Sequence, residues 1–165
     1  MIRCAELSDI KDLRNIMFQI DKLHAKKRPD LFKPAQKRSK QAIIDLINDD
    51  KKEFVVYEKD DKIVGYVIFE LQIIVNSDQV NAEERIYIHN LCVDKKYRRR
   101  GYATRLYQYV VEYARKNNCR QILLSVWEFN KSAKRFYKSL GMKPQRTIME
   151  SIVQTENVGD EYIFG

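Results

Sequence analysis

The chain has 165 residues, the length of one domain, and its 44% hydrophobic content with a mean hydropathy of −0.54 describes a globular, water-soluble protein. No apolar run approaches the ~20 residues of a membrane helix, and Met1–Glu6 lacks the apolar core of a signal peptide, so a cytoplasmic, membrane-free protein is expected. Low glycine and proline content excludes collagen-like and low-complexity classes, while 31 basic against 23 acidic residues leave a net charge of +8. That surplus favours anionic partners: nucleic acid, acidic membranes or a phosphate-bearing cofactor.

In chain order, Leu7-Ser8-Asp9 reads as a helix start with Ser8 as its cap, and Ile10, Leu13, Met17 and Ile20 follow at helical spacing. The helix breaks in the segment from His24 to Asp30, because Arg28 precedes a proline. A second helix is expected from Gln36 to Asn48. Phe54–Tyr57 and Ile63–Phe69, joined by a polar turn, form a hairpin whose second strand runs on to Ile74; Asn76–Glu84 is a loop and Arg85–Val93 a further strand. A helix from Gly101 to about Asn118, a strand over Gln121–Val126 and a helix over Lys131–Leu140 follow, with Gly141 at the helix end and a last strand over Gln145–Val153. This order is α+β in one domain spanning residues 1–165. Cys4, Cys92 and Cys119 are dispersed, with no CxxC pair, and read as structural thiols with no metal site.

The strongest chemical signal lies after Val93. A strand ends, a cationic loop follows, and Gly101 opens a helix whose first free N–H groups favour an anion. Arg98, Arg99 and Arg100 add charge that can pair with phosphate oxygens. No Gly-Lys-Ser/Thr follows, and one glycine stands where a dinucleotide fold needs three.

Arg98-Arg99-Arg100-Gly101-Tyr102-Ala103 resembles the Arg/Gln-x-x-Gly-x-Gly/Ala phosphate loop of the GNAT superfamily of N-acetyltransferases. The preceding apolar strand, the later strand Leu123–Val126, Asn130, Tyr137 and the ending Phe136–Met142 match that family in order. The resemblance implies the GNAT fold, a mixed and mostly antiparallel sheet of six to seven strands flanked by about four helices. It also implies transfer of an acetyl group from acetyl-coenzyme A, used as co-substrate, to a primary amine in a ternary complex.

By the same resemblance the coenzyme lies in a V-shaped opening between the strands Ile86–Val93 and Gln121–Val126. Its pantetheine arm pairs along Leu91, Cys92 and Val93, through main-chain groups of Leu91 and Val93. The pyrophosphate sits on the N–H groups from Arg99 through Gly101, Tyr102 and Ala103 to Thr104. Asn130 bonds the pantetheine or caps the next helix, and Lys131 and Lys134 reach the 3′-phosphate or simply face solvent. Tyr137 matches the usual general acid, since a phenol (~10) can protonate a departing thiolate (~8.5).

The amine needs a base, and His89 stands where many relatives carry a glutamate; a structural histidine or a water chain is the alternative. Trp127 and Glu128 are expected to border the acceptor site, with Glu70 near but unplaced by strand parity. The connection from His24 to Phe32 supplies walls at Pro29 and Phe32, and the basic run Lys26-Lys27-Arg28 argues against a polycationic acceptor. The acceptor is an amine-bearing small molecule or peptide. A nucleic-acid-binding module, a tRNA-directed acyltransferase, a non-catalytic coenzyme A module and a homodimer stay open. Against the first, the aromatics form no stacking platform among the basic residues.

Overall fold

The computed structural model describes residues 1–153. Five strands form one sheet in the order β1 (Ile2–Cys4), β2 (Glu53–Lys59), β3 (Lys62–Ile74), β4 (Glu83–Val93) and β5 (Gln121–Leu124). All neighbours are antiparallel except β4 and β5, which run parallel. Helices α1 (Ile10–Lys27) and α2 (Lys40–Ile47) cover one face, and α3 (Tyr102–Lys116) covers the other; α4 (Lys131–Ser139) follows β5.

The sequence explains these elements locally. Leu13, Ile16 and Met17 of α1 are fully buried against Phe54, Val56, Tyr66 and Ile68, forming one half of the core. Tyr102, Leu106, Val110 and Ala114 recur every four residues and line the buried face of α3 in the other half. Asp60 and Asp61 both take left-handed backbone (φ 50° and 57°), the geometry of a two-residue hairpin turn between β2 and β3. β3 is buried from Ile63 to Phe69, as expected of a strand covered on both faces. Gly65 permits the close approach of β4: an added Cβ would lie 3.0 Å from the Cys92 carbonyl oxygen.

Four expectations are corrected. Ser8 does not cap α1: a 3₁₀ turn over Leu7–Asp9 precedes it, closed by a reciprocal box between Glu6 and Asp9. The second helix begins at Lys40 rather than Gln36, because the Ser39 hydroxyl accepts the Ala42 N–H at 3.1 Å and sets the start. The described residues hold five strands rather than six or seven. Among the described residues Gln145–Val153 forms no strand and pairs with none, and Ile148, Met149, Ile152 and Val153 are more than 80% exposed. Arg28, by contrast, leaves helical geometry (φ −134°, ψ 63°) just before Pro29, as the sequence predicts.

Asp9, 5% exposed, fixes β1 to the start of α1. Its carboxylate accepts two bonds from Arg3 at 2.8 and 2.9 Å and one from the Glu6 N–H at 2.8 Å. Burial alone raises the Asp9 carboxyl, but these bonds outweigh it and hold the group below the usual carboxylate range. Its stabilising contribution is therefore present above the unfolded-state value and lost as pH falls through the folded one. Asp9→Ala should cost about 2–3 kcal/mol. A lowered urea midpoint at pH 7, with the gap to wild type closing in acid, is the expected result.

Candidate active site

The β4–β5 ladder runs from Arg85↔Gln121 to Ile88↔Leu124 and stops, while β4 continues to Val93. The two strands thus part, leaving an open edge on the last residues of β4. The Asp94 N–H donates to the Val64 carbonyl at 2.8 Å. By antiparallel alternation the main chain of Cys92 also faces β3, and that of Leu91 and Val93 faces the open edge. Cys92 therefore spends its main chain on the sheet, and burial pushes its thiol up to about 11.

Beyond this edge comes the cationic loop. Backbone N–H groups from Arg98 to Thr104 donate to no acceptor among the described residues, and the first helical bond belongs to Arg105. Arg99 (φ 61°) and Gly101 (φ 79°) take left-handed conformations, the kind of backbone from which concavities of N–H groups that can hold an anion are built. The N-terminus of α3 adds its dipole, and Tyr102, Ala103 and Thr104 are the first residues of that helix. Arg98 Nε donates to the Val93 carbonyl at 3.1 Å, which ties the loop to the end of β4. The Arg100 guanidinium lies 5.7 Å from the Tyr97 ring centroid. Asn130 caps α4, its side chain accepting the Ala133 N–H at 3.2 Å, while Lys134 bonds the Glu128 carboxylate. Lys131 is exposed.

Tyr137, on α4, packs beside Phe136 with ring centroids 5.3 Å apart. Burial pushes its hydroxyl up to about 12, with Cys92 and Tyr107 adding to the shift. The hydroxyl makes no hydrogen bond to the described residues.

On the α1 side of the sheet, the register shifts between Ile68↔Asn90 and Phe69↔Ile88, so His89 is the extra residue of a bulge. Its ring shares a face with Tyr87 and Glu70, with Nε2 3.2 Å from Glu70 Oε2. Gln72 donates to Glu70 at 2.5 Å, and Tyr87 lies 5.0 Å from the His89 ring and donates its hydroxyl to Ser125 at 3.0 Å. The Gln72 bond, opposed by burial and aided by His89, holds the Glu70 carboxyl below its ordinary value.

Four rings join the α1–α2 connection to the segment after β5. Phe32 lies 5.2 Å from His24 and 5.8 Å from Trp127, and Phe129 stacks on Trp127 at 5.7 Å. Arg28 lies 5.5 Å from the Trp127 ring and pairs with Asp30 and Glu150. Pro29 and Phe32 also line an open cleft of about 650 Å³ with Lys22 and Lys26. Sequence reasoning missed Phe129, although its Trp-x-Phe spacing from Trp127 just past a strand was the available signal. Glu128 is exposed and accepts from Lys134.

Among the described residues, no group of histidine, cysteine and carboxylate side chains has metal-site geometry, and no helix is long and apolar enough to cross a membrane.

The chain is 35% identical over 103 residues to an uncharacterized N-acetyltransferase of Methanocaldococcus jannaschii, a match covering 62% of this chain and 44% of that protein. Human N-acetyltransferase 8 is 31% identical over 90 residues, covering 54% and 38%. The matches thus span less than half the length of either relative. A crystallised mutant protein of Bacillus halodurans superposes with a TM-score of 0.89 at 26% identity, covering 93% of this chain and 99% of that one. A Trypanosoma brucei acetyltransferase shares the fold with a TM-score of 0.66 at 19% identity, covering 93% and 99%. The family model described as the acetyltransferase (GNAT) family matches residues 17–142, and the chain belongs to that family.

Proposed function

We propose that residues 1–165 form a single acetyltransferase domain that moves an acetyl group from acetyl-coenzyme A directly to the primary amine of a small molecule or peptide. The observation that carries this reading is the parting of β4 from β5 beside a loop of free N–H groups. An open strand edge fits the amide-bearing pantetheine arm, and the loop from Arg99 to Thr104 fits a pyrophosphate.

In this reading Leu91 and Val93 pair with pantetheine and align the thioester. The amine arrives as an ammonium, and His89 takes one proton, freeing the lone pair. Nitrogen attacks the thioester carbon; as the tetrahedral intermediate collapses, the C–S bond breaks and sulfur leaves with the electron pair. Tyr137 gives its proton to sulfur and regains one from the new amide nitrogen. The net products are the amide, free thiol and the proton on His89.

Acetyl-coenzyme A should bind in the micromolar range and more weakly as salt rises, because phosphate contacts are screened. Gly101→Val should weaken binding at least ~10-fold while the protein stays folded. An added Cβ meets no protein atom within 4 Å, yet φ of 79° strains any branched residue. The side chain would also enter the space proposed for the phosphates. Calorimetry and a thermal melt of the variant test this; normal binding by a folded variant would remove the loop from the coenzyme site.

A further inference from the structure

We propose that Glu70 is a positioning residue for His89, fixing the ring so that Nδ1 carries the lone pair that receives the amine proton. This rests on the acetyl-transfer reading above. Three observations lead to it. Alternation from Ile88, buried on the α3 side, places His89 on the opposite face with Tyr87, which pairs across the ladder with Glu70, and the bulge leaves His89 without a β3 partner of its own. Glu70 Oε2 then meets Nε2 at 3.2 Å, while Nδ1 bonds to nothing among the described residues. Glu70 is itself oriented: Gln72 donates to it, and Gln72 in turn accepts from Arg85 Nε at 3.0 Å.

A carboxylate on Nε2 holds the proton there and leaves Nδ1 as the acceptor. It also stabilises the imidazolium that forms when Nδ1 is protonated, without taking that proton itself. The groups facing the pair are few. Tyr87 of β4 lies edge-on to the ring, Lys52 before β2 acts on Glu70 through its charge, and Arg85 reaches Glu70 through Gln72.

A double-mutant cycle in the full chain tests the assignment, with acetyl-coenzyme A and an amine found by screening for thiol release. Glu70→Gln should lower kcat at least ~10-fold with KM for the amine held, since charge behind the base acts when the imidazolium forms. The acidic limb of the rate profile should persist in Glu70→Gln and vanish in His89→Gln. The double variant should be no slower than His89→Gln alone, because Glu70 acts only through the ring. Additive losses, a rise in KM alone, or loss of the limb in Glu70→Gln would overturn the proposal, the last making Glu70 the base.

A substrate-free arm separates this proposal from the acetyl-transfer reading. The chain has two histidines, so nitrogen-15 spectra of the ring protons are readily assigned by loss in His89→Gln. Wild type should show a His89 Nε2–H signal protected from exchange, and Glu70→Ala should lose it. Equal exchange in both proteins would overturn the positioning role whether or not any amine is acetylated. Absence of turnover with a protected proton would instead count against acetyl transfer.

Discussion

Tyr137→Phe should lower kcat by about 10²–10⁴-fold while affinity for acetyl-coenzyme A changes little. The substitution removes one oxygen and keeps the ring, so its packing against Phe136 survives. With its hydroxyl pushed up to about 12 by burial, Tyr137 stays protonated throughout the working range. No basic limb of the rate profile below pH 10 should therefore belong to it. A phenol held so high is a weak acid toward a thiol in water, but the same burial disfavours the leaving thiolate and narrows the gap. A thioester whose leaving thiol has a lower pKa should rescue the Phe variant if Tyr137 donates a proton. If the hydroxyl only positions the sulfur, that substrate should bring no rescue. Full activity in the variant would remove Tyr137 from the mechanism.

For His89→Gln the expected loss is also about 10²–10⁴-fold in kcat/KM, measured above the acidic limb. An ammonium has no lone pair, so rate at low pH is limited by proton removal, and the wild-type profile should fall in acid. In the variant the remaining activity should lose that fall, because no titrating base is left. Coenzyme binding should persist, since the ring lies on the α1 side of the sheet and the proposed phosphate loop follows β4. An unchanged acidic limb would return His89 to a structural role and point to a water chain.

Most of the fold was legible because the elements carry strong local patterns. The stripe of α1 and the four-residue recurrence of Tyr102, Leu106, Val110 and Ala114 both mark buried helix faces. The strand expected over Gln145–Val153 failed for the opposite reason. Its β-branched residues favour a strand, but a strand needs a neighbour to pair with, and single-chain periodicity says nothing about one. At the site, the strand-loop-helix order around Gly101 was readable because the apolar strand pattern stops at Val93 and the helical stripe starts at Tyr102. His89 and Glu70 were not readable as a pair. A bulge changes strand parity by one residue, and nothing in Ile88-His89-Asn90 announces it. Arg98 is read in the sequence as the first position of the loop motif, and its reach back to Val93 is a contact that only the folded chain shows. The Phe32–Trp127 contact likewise joins segments far apart in the chain.

Everything proposed for this site depends on β4's open edge and the loop after it holding acetyl-coenzyme A. Calorimetric titration of the full chain with acetyl-coenzyme A at two salt concentrations tests it most directly. Saturable binding at one site in the micromolar range, weakened at higher salt as phosphate contacts are screened, is the expected result. No heat and no thermal shift at millimolar acetyl-coenzyme A would contradict it.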